Sequence, residues 1–135
     1  MTSSGGEWDA YAARFDDQPD HGLRDPAVRA AWRRLLAGLL PPPSARTADL
    51  GCGTGTLSVL LAEDGHRVTG VDQSPAMLER ASDKAAAAGV AVEFRPGDAA
   101  APPLADGAFD VVFSRHVVWA LPDPGAALAR WASLL

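Results

Sequence analysis

Cysteine is almost absent from this chain of 135 residues, in which Cys52 is the single example. One thiol cannot form a disulfide within the chain, which is typical of proteins of the reducing cytoplasm. The sequence contains no apolar stretch long enough to cross a bilayer, and no leader of the secretory type opens it. These absences predict a cytoplasmic protein with no membrane partner.

Positive charge is also scarce and scattered. The chain has 12 basic and 17 acidic residues, a formal net charge of −5, no basic run and no internal repeat. Because nucleic-acid affinity comes mainly from Lys and Arg side chains that neutralise phosphates, we expect no nucleic-acid partner. The length allows at most one domain, and the sequence predicts no metal site.

A glycine-rich decapeptide, residues 48–57 (ADLGCGTGTL), is the most informative segment. It joins a predicted strand, Arg46–Leu50, to a predicted helix, Thr56–Glu63. Such a turn is expected to present bare backbone N–H groups to a ligand. Asp49 precedes the turn and would repel a pyrophosphate, but it suits a cationic ligand such as the amino group of an amino acid. The glycines of the turn are Gly51, Gly53 and Gly55.

Two more acids follow predicted strands in the same way. Asp72 ends the strand Arg67–Val71, about 20 residues after the first glycine, where a carboxylate can accept from both ribose hydroxyls. Pro75 then starts a helix that runs to Ala88 and stops at Gly89. Asp98 follows a third strand, predicted over residues 90–95. The three acids therefore lie at the carboxyl ends of three consecutive strands.

Residues 45–131 resemble class I S-adenosylmethionine (SAM) dependent methyltransferases of the small-molecule type, whose first motif is acid-x-Gly-x-Gly-x-Gly. The resemblance implies an α/β, Rossmann-like three-layer αβα fold with a parallel sheet in the order 3-2-1-4. It also implies transfer of a methyl group from SAM to a nucleophilic atom of a small molecule. Asp72 matches the ribose-binding acid, Met77 packs near the adenine, and Asp98 accepts from the adenine amino group. The cofactor-binding residues that it implies are Tyr11, Asp49, Gly51, Cys52, Gly53, Gly55, Asp72, Gln73, Met77, Asp98, Ala99, Ser114 and Arg115.

Two units are expected along the chain. Residues 1–40 form a helical lid with helices over Glu7–Phe15 and Pro26–Leu39 and a loop between them. Residues 41–135 form the SAM-binding α/β core. In related lids an aromatic residue closes over the methionine end of the cofactor, and Tyr11 is the candidate; an ordinary amphipathic helix explains the same spacing.

The core looks incomplete at its carboxyl end. A fourth strand is predicted over Phe109–Ser114, and a last helix runs from Pro124 to Leu135. The family has seven strands, so the fourth strand here would form an open, apolar edge. We expect either a fragment of a longer protein or self-association through this strand.

His116 is the candidate catalytic residue. A substrate oxygen or nitrogen that arrives protonated needs a base, and His116 comes just after the fourth strand, at the ligand-facing edge of the sheet. The same residue could instead orient its loop. Arg115 could pair with a surface acid or meet the substrate, and His21 is a second candidate base.

Two other classes of function remain open. A nicotinamide-dependent oxidoreductase would carry G-x-G-x-x-G, but Thr56 occupies the position of the last glycine. A non-catalytic SAM-binding or interaction module would bind the cofactor without turnover.

Overall fold

A computed structural model describes residues 5–17 and 19–135; residues 1–4 of the expected lid, and Gln18, lie outside the described part. Its centre is a parallel sheet of β1 (Arg46–Leu50), β2 (Arg67–Asp72), β3 (Glu93–Pro96) and β4 (Val111–Phe113). The order of these four described strands is β3-β2-β1-β4, which confirms the predicted topology. Because all strands run in one direction, the loops that follow them meet at one edge of the sheet.

Six α-helices surround the sheet in the described part of the chain. They are α1 (Gly5–Ala12), α2 (Pro19–Gly22), α3 (Pro26–Leu39), α4 (Thr56–Glu63), α5 (Pro75–Ala88) and α6 (Pro124–Ser133). Two short 3-10 helices cover Phe15–Asp17 and Val118–Ala120. None of the described helices is long and apolar enough to cross a membrane.

Two apolar clusters, one on each face of the sheet, make this a three-layer αβα fold. On one face, leucines of α3 and α4 such as Leu36, Leu57 and Leu60 pack with Val68 of β2. On the other face, Trp131 and its neighbours in α6 pack against β1 and β2. The strands are therefore apolar on both sides, as parallel sheets usually are.

Helix starts follow the capping residues that the sequence carries. The Asp25 side chain accepts from the Ala27 N–H at the start of α3, and Ser74 accepts from the Met77 N–H at the start of α5. Each cap is followed by proline, which lacks the N–H that a first helical residue leaves unpaired. Cap and proline together fix where α5 begins, directly behind Asp72.

The N-terminal elements differ most from the prediction. The first helix covers Gly5–Ala12 rather than Glu7–Phe15, because the Arg14 N–H donates to the Tyr11 carbonyl and tightens the chain into a turn. The residues predicted as a loop, 16–24, contain the 3-10 helix and α2 instead.

The last strands and α6 are shorter than predicted. Residue Val90 does not open β3, because its N–H caps α5 by donating to the Ala85 carbonyl. Phe109 precedes β4, since its N–H donates to the Leu134 carbonyl rather than to a strand. Helix α6 ends at Ser133, two residues before the expected end.

Candidate functional site

A cavity of about 310 Å³ opens at the carboxyl edge of the sheet. Loops that follow all four strands line it, and aromatic residues of the N-terminal segment (residues 5–17 and 19–40) cover it. Its size falls within the usual range of small-molecule sites. The structure brings these sequence-predicted residues to its wall: Tyr11, Asp49, Gly51, Cys52, Gly53, Asp72, Gln73, Met77, Asp98, Ala99, Arg115 and His116.

Two of the residues expected at the cofactor, Gly55 and Ser114, stand behind this wall. Gly55 starts α4 in a left-handed conformation (φ 77°), and a Cβ there would lie 2.8 Å from the Ala81 Cβ. The Ser114 hydroxyl donates to the Leu50 carbonyl at 2.9 Å, which ties the end of β4 to β1. Both residues shape the loops that do line the cavity.

Asp49 is buried beneath the cavity with 3% of its surface exposed. Burial raises the pKa of its carboxyl to about 6, against the opposing effects of the Ser58 hydrogen bond and the Arg115 charge. The Ser58 hydroxyl donates to Asp49 Oδ2 at 2.7 Å. A buried carboxylate that lines a cavity is stabilised by a cation or a hydrogen-bond donor placed there.

Asp72 joins the tip of β2 to the glycine turn. Its two carboxylate oxygens accept from the Gly53 N–H and the Ser74 N–H, each at 2.9 Å. Burial raises the pKa of this carboxyl, and the hydrogen bonds from Ser74 and Gly53 oppose the shift. The side chain is thereby fixed in place, with further acceptor capacity for ligand hydroxyls.

Four backbone N–H groups of the glycine turn bond within the protein, so for these four the expectation of bare N–H groups is wrong. The Gly51 and Cys52 N–H groups donate to the Val71 carbonyl, at 2.8 and 3.0 Å. The Gly53 N–H donates to Asp72, and that of Gly55 to the Cys52 carbonyl. The turn is therefore folded back on the sheet, and its glycines matter because they leave space.

The need for that space is clearest at Gly51. It has a φ of 75°, and a Cβ there would collide with the Val117 side chain. Val117 belongs to the loop after β4, so the turns after two neighbouring strands touch at this residue. A side chain at residue 51 would push the two walls of the cavity apart.

Met77, Asp98 and Ala99 form the side of the cavity near β2 and β3. Met77 is buried on the first turn of α5. The Asp98 carboxylate accepts from the Ala100 N–H at 2.8 Å, and the Ala99 carbonyl accepts from Trp131 Nε1 at 2.7 Å. These bonds hold a turn whose carboxylate faces the cavity.

Aromatic rings of the N-terminal segment form the roof. Trp8, Tyr11 and Phe15 make a series of edge-to-face contacts, with ring centroids 6.3 and 5.7 Å apart. The Arg14 guanidinium lies over the Tyr11 ring at 5.6 Å. Tyr11, the residue expected to meet the sulfonium, therefore already has a cation–π partner within the chain, Arg14.

Two acids of the N-terminal segment attach the roof to the core. Asp9 accepts from the Ser74 hydroxyl and from the Ala76 N–H, the latter at 3.0 Å, so it supplements the cap of α5. Asp16 pairs with Lys84 of α5 at 2.6 Å and accepts from the Thr54 hydroxyl of the glycine turn. The roof is thus bonded to both structures that flank Asp72.

Lys84 is a residue that the sequence interpretation missed. Besides Asp16, its ammonium group donates to Thr56 Oγ1 at 2.9 Å and Thr54 Oγ1 at 3.2 Å. Burial lowers the pKa of this lysine, and the Asp16 hydrogen bond opposes the shift. No local motif marks a lysine in the middle of an alanine-rich helix as a tether, since its partner is 68 residues away in the chain.

His116 and Arg115 follow β4 and line the opposite wall. His116 has a φ of 63°, a left-handed conformation that costs energy for a residue other than glycine. The Arg115 guanidinium stacks on Trp32 of α3 at 5.0 Å, and its charge lowers the pKa of Asp49. Arg115 therefore lies at the wall of the cavity.

Cys52 is a packed thiol. Burial, with further contributions from Asp49 and Asp72, raises the pKa of its thiol well above the ordinary value. A thiol kept protonated is a poor nucleophile. Within the described residues, no group of three or more His, Cys, Asp or Glu side chains could hold a metal ion.

Comparison with known proteins identifies the family of the chain. The methyltransferase-domain family matches residues 48–135, which contain the glycine turn and the three acids. The chain is 41% identical over 115 residues to the ubiquinone biosynthesis O-methyltransferase of Caulobacter sp. strain K31. That alignment covers 84% of the chain and 45% of the relative, so the chain spans less than half of that relative's length.

Two solved methyltransferase structures are similar to this chain in fold. A SAM-dependent methyltransferase of Thiobacillus denitrificans, in complex with S-adenosyl-L-homocysteine, has a TM-score of 0.73 and 28% identity over 100% of this chain and 52% of that one. The SAM-bound magnesium protoporphyrin IX methyltransferase of Synechocystis PCC 6803 has a TM-score of 0.67 and 30% identity, covering 80% of this chain and 53% of that one. The family match and these relatives show that the chain belongs to the methyltransferase-domain family.

Proposed function

We propose that the protein carrying this chain transfers a methyl group from SAM to an oxygen atom of a small molecule. One observation carries the proposal: Asp49, Asp72 and Asp98 line one cavity around the glycine turn. The N–H groups of the turn that have a known partner donate within the protein and not to the cavity. Acceptor groups therefore dominate this wall. The choice of oxygen is supported by the relative from Caulobacter, which is named an O-methyltransferase.

The residues present fit SAM because three of its groups donate hydrogen bonds: the ammonium group, the ribose hydroxyls and the adenine amino group. Its ammonium group would meet Asp49, its ribose hydroxyls Asp72, and its adenine amino group Asp98, with Met77 against the ring. A dinucleotide fits less well. Its pyrophosphate needs unpaired N–H groups and positive charge, whereas the turn's N–H groups are used and three carboxylates stand nearby.

Residues 1–40 are proposed to act as a lid over the core of residues 41–135. Trp8, Tyr11 and Phe15 roof the cavity, and Asp9 and Asp16 hold them there. A closed roof excludes water and aligns the acceptor with the methyl group. Tyr11 is proposed to face the sulfonium end of the cofactor, with Arg14 over its ring.

His116 is proposed as a general base. Bound SAM supplies a methyl group already activated on a sulfonium, so the protein must orient the acceptor and accept its proton. His116 lines the cavity beyond Asp49, and its unfavourable φ of 63° is the kind of backbone strain found at functional residues.

Small hydroxylated molecules are the proposed acceptors, and neither nucleic acid nor a membrane is a proposed partner. The net charge of −5 and the acidic cavity support the exclusion of nucleic acid. We propose a reducing, cytoplasmic setting on the evidence of the single thiol, and self-association of the 135-residue chain through β4.

Calorimetry with SAM and with NAD tests the proposed cofactor. We expect SAM to bind and NAD to bind weakly, and Asp72→Asn to weaken SAM binding. The loss of charge-assisted hydrogen bonds is worth roughly 1.5–3 kcal/mol, which is about a 10-fold to 100-fold change in Kd. Asp83→Asn is the matched control, since Asp83 is exposed on α5 outside the cavity.

Two results would contradict the proposal. One is tighter binding of NAD than of SAM. The other is the absence of methyl transfer by the complete protein to every member of a panel of phenols, catechols and carboxylic acids with SAM present.

A further inference from the structure

The N-terminal segment brings a second histidine, His21, to the cavity. His21 lies on α2, and its Nδ1 is 3.2 Å from the Phe15 carbonyl oxygen. A carbonyl can only accept a hydrogen bond, so Nδ1 must carry the hydrogen and donate it. In the neutral ring the lone pair is then on Nε2, which is the tautomer that can accept a proton there.

Stacking fixes the orientation of the same ring. The His21 and Phe15 rings are nearly parallel, at an interplanar angle of 11° with centroids 4.1 Å apart. Phe15 itself lies beside the glycine turn, 3.6 Å from where a Cβ on Gly53 would be. The hydrogen bond and the stack together hold the imidazole in a defined place relative to the glycine turn.

The ring of His21 also meets His116. Their centroids are 5.7 Å apart at an interplanar angle of 62°, and both residues line the cavity. His116 comes from the loop after β4 and His21 from the roof, so the two imidazoles meet only when the roof lies on the core. Nothing in the local sequence connects two histidines 95 positions apart.

We propose that His21 is a second acid–base residue of the methyl transfer, in addition to His116; this inference rests on the proposed function. The acceptor hydroxyl donates its one proton to His116 as its oxygen forms the bond to the methyl carbon, and His116 passes a proton on to His21 Nε2. The carbon–sulfur bond breaks, and its electron pair stays on sulfur. The imidazolium that results then returns its proton to water.

This assignment gives the roof a chemical role as well as a covering one. Phe15, which positions His21, lies against the glycine turn, and its neighbour Asp16 accepts a hydrogen bond from Thr54 of that turn. The contacts that hold the roof on the glycine turn therefore also bring the proton acceptor His21 to the site. Turnover and roof closure should be linked through His21.

His21→Asn separates this role from a structural one. An asparagine amide can keep the N–H at the δ position that donates to Phe15, but it has no basic nitrogen at the ε position. In the complete protein, with the panel acceptor that the wild type methylates best, we expect kcat to fall about 100-fold. We expect KM for the acceptor and Kd for SAM to change less than twofold.

His66→Asn is the matched control, because His66 lies outside the cavity. It should leave kcat unchanged. His21→Ala with imidazole added to the buffer gives a second measurement: recovery of turnover identifies a missing proton acceptor, which loss of a structural contact would not produce.

The outcomes separate this inference from the proposed function. Wild-type turnover in His21→Asn would overturn the role of His21 and leave the proposed function standing. The role of His21 would also be overturned if His21→Ala lost turnover that added imidazole did not restore and also bound SAM more weakly. If the wild type binds no SAM or methylates nothing on the panel, the proposed function fails and this inference fails with it.

Discussion

Asp49 shows how one buried side chain can lower stability and serve binding. Burial raises its pKa from 3.8 to about 6. Between these values the unfolded chain loses its proton first, so the free energy of unfolding falls as pH rises through this range. At pH 7 the cost of the buried charge is on the order of 3 kcal/mol, at about 1.4 kcal/mol for each unit of pKa.

Asp49→Asn should therefore stabilise the ligand-free chain at neutral pH. The asparagine is uncharged, and its Oδ1 can still accept from Ser58. We expect the variant to be more stable than the wild type by about 1–3 kcal/mol at pH 8, and the difference to shrink towards pH 5, where the wild-type carboxyl is protonated. Urea unfolding at the two pH values measures this.

The same substitution should weaken SAM binding, because the ammonium group would lose its carboxylate. Asp83→Asn, at an exposed residue, is the control for both measurements. A difference in stability that does not change with pH would show that the charge of Asp49 is not the cause.

At the scale of elements, segments with local start and stop signals were predicted to the residue. The bounds of β1, α3, α4 and α5 agree with the structure because a cap, a proline or a glycine fixes each end. The start of β4 depends on the bond from Phe109 to the distant Leu134 carbonyl, which no local pattern reveals. The start of β3 depends on a local bond, from Val90 to the Ala85 carbonyl after Gly89, which the prediction of a strand over residues 90–95 overlooks.

Some features of the site could be predicted from the sequence and others could not. Asp49, Asp72 and Asp98 could be placed because parallel topology carries every strand end to one edge. The direction of the turn's N–H groups could not be predicted, because it depends on their bonds to Val71 and Asp72 of β2. The Asp16–Lys84 pair and the meeting of His21 with His116 could not either, because both depend on how the N-terminal segment docks on the core.

Docking of that segment should depend on Lys84. Lys84→Met removes the cation that joins Asp16, Thr54 and Thr56, bonds worth roughly 1.5–3 kcal/mol. We expect faster amide hydrogen exchange in residues 8–17 and weaker SAM binding, with little change in β1 and β2.

Arg80→Met is the matched control, since Arg80 is exposed on the same helix and lies outside the cavity. Unchanged exchange in residues 8–17 of Lys84→Met would mean that the aromatic contacts alone hold the roof.

At the scale of the whole molecule, the sheet has two edge strands in the described part of the chain, β3 and β4, and β4 is the more apolar of the two. β4 pairs with β1 and with no other described strand, and Val111, Val112 and Phe113 are half-buried. An apolar edge strand is a template for pairing with another chain. The aligned part of the chain spans less than half of the length of the Caulobacter relative.

The 135-residue chain on its own should self-associate through β4. Thr47 and Asp49 of β1 bond to β2, in line with the bonds from the Arg67 N–H to the Ala45 carbonyl and from the Gly51 N–H to the Val71 carbonyl, so the backbone groups of Ala48 face β4. Because Ala48 is paired with Val112, the backbone groups of Val111 and Phe113 bond to β1 and the Val112 N–H faces outward. Val112→Pro therefore removes an outward donor and should yield a folded monomer by light scattering and circular dichroism. Val111→Pro, which removes a bond to β1, should unfold the chain. A wild-type chain that stays monomeric at every concentration, or a folded Val112→Pro variant that associates as the wild type does, would show that β4 is not the contact.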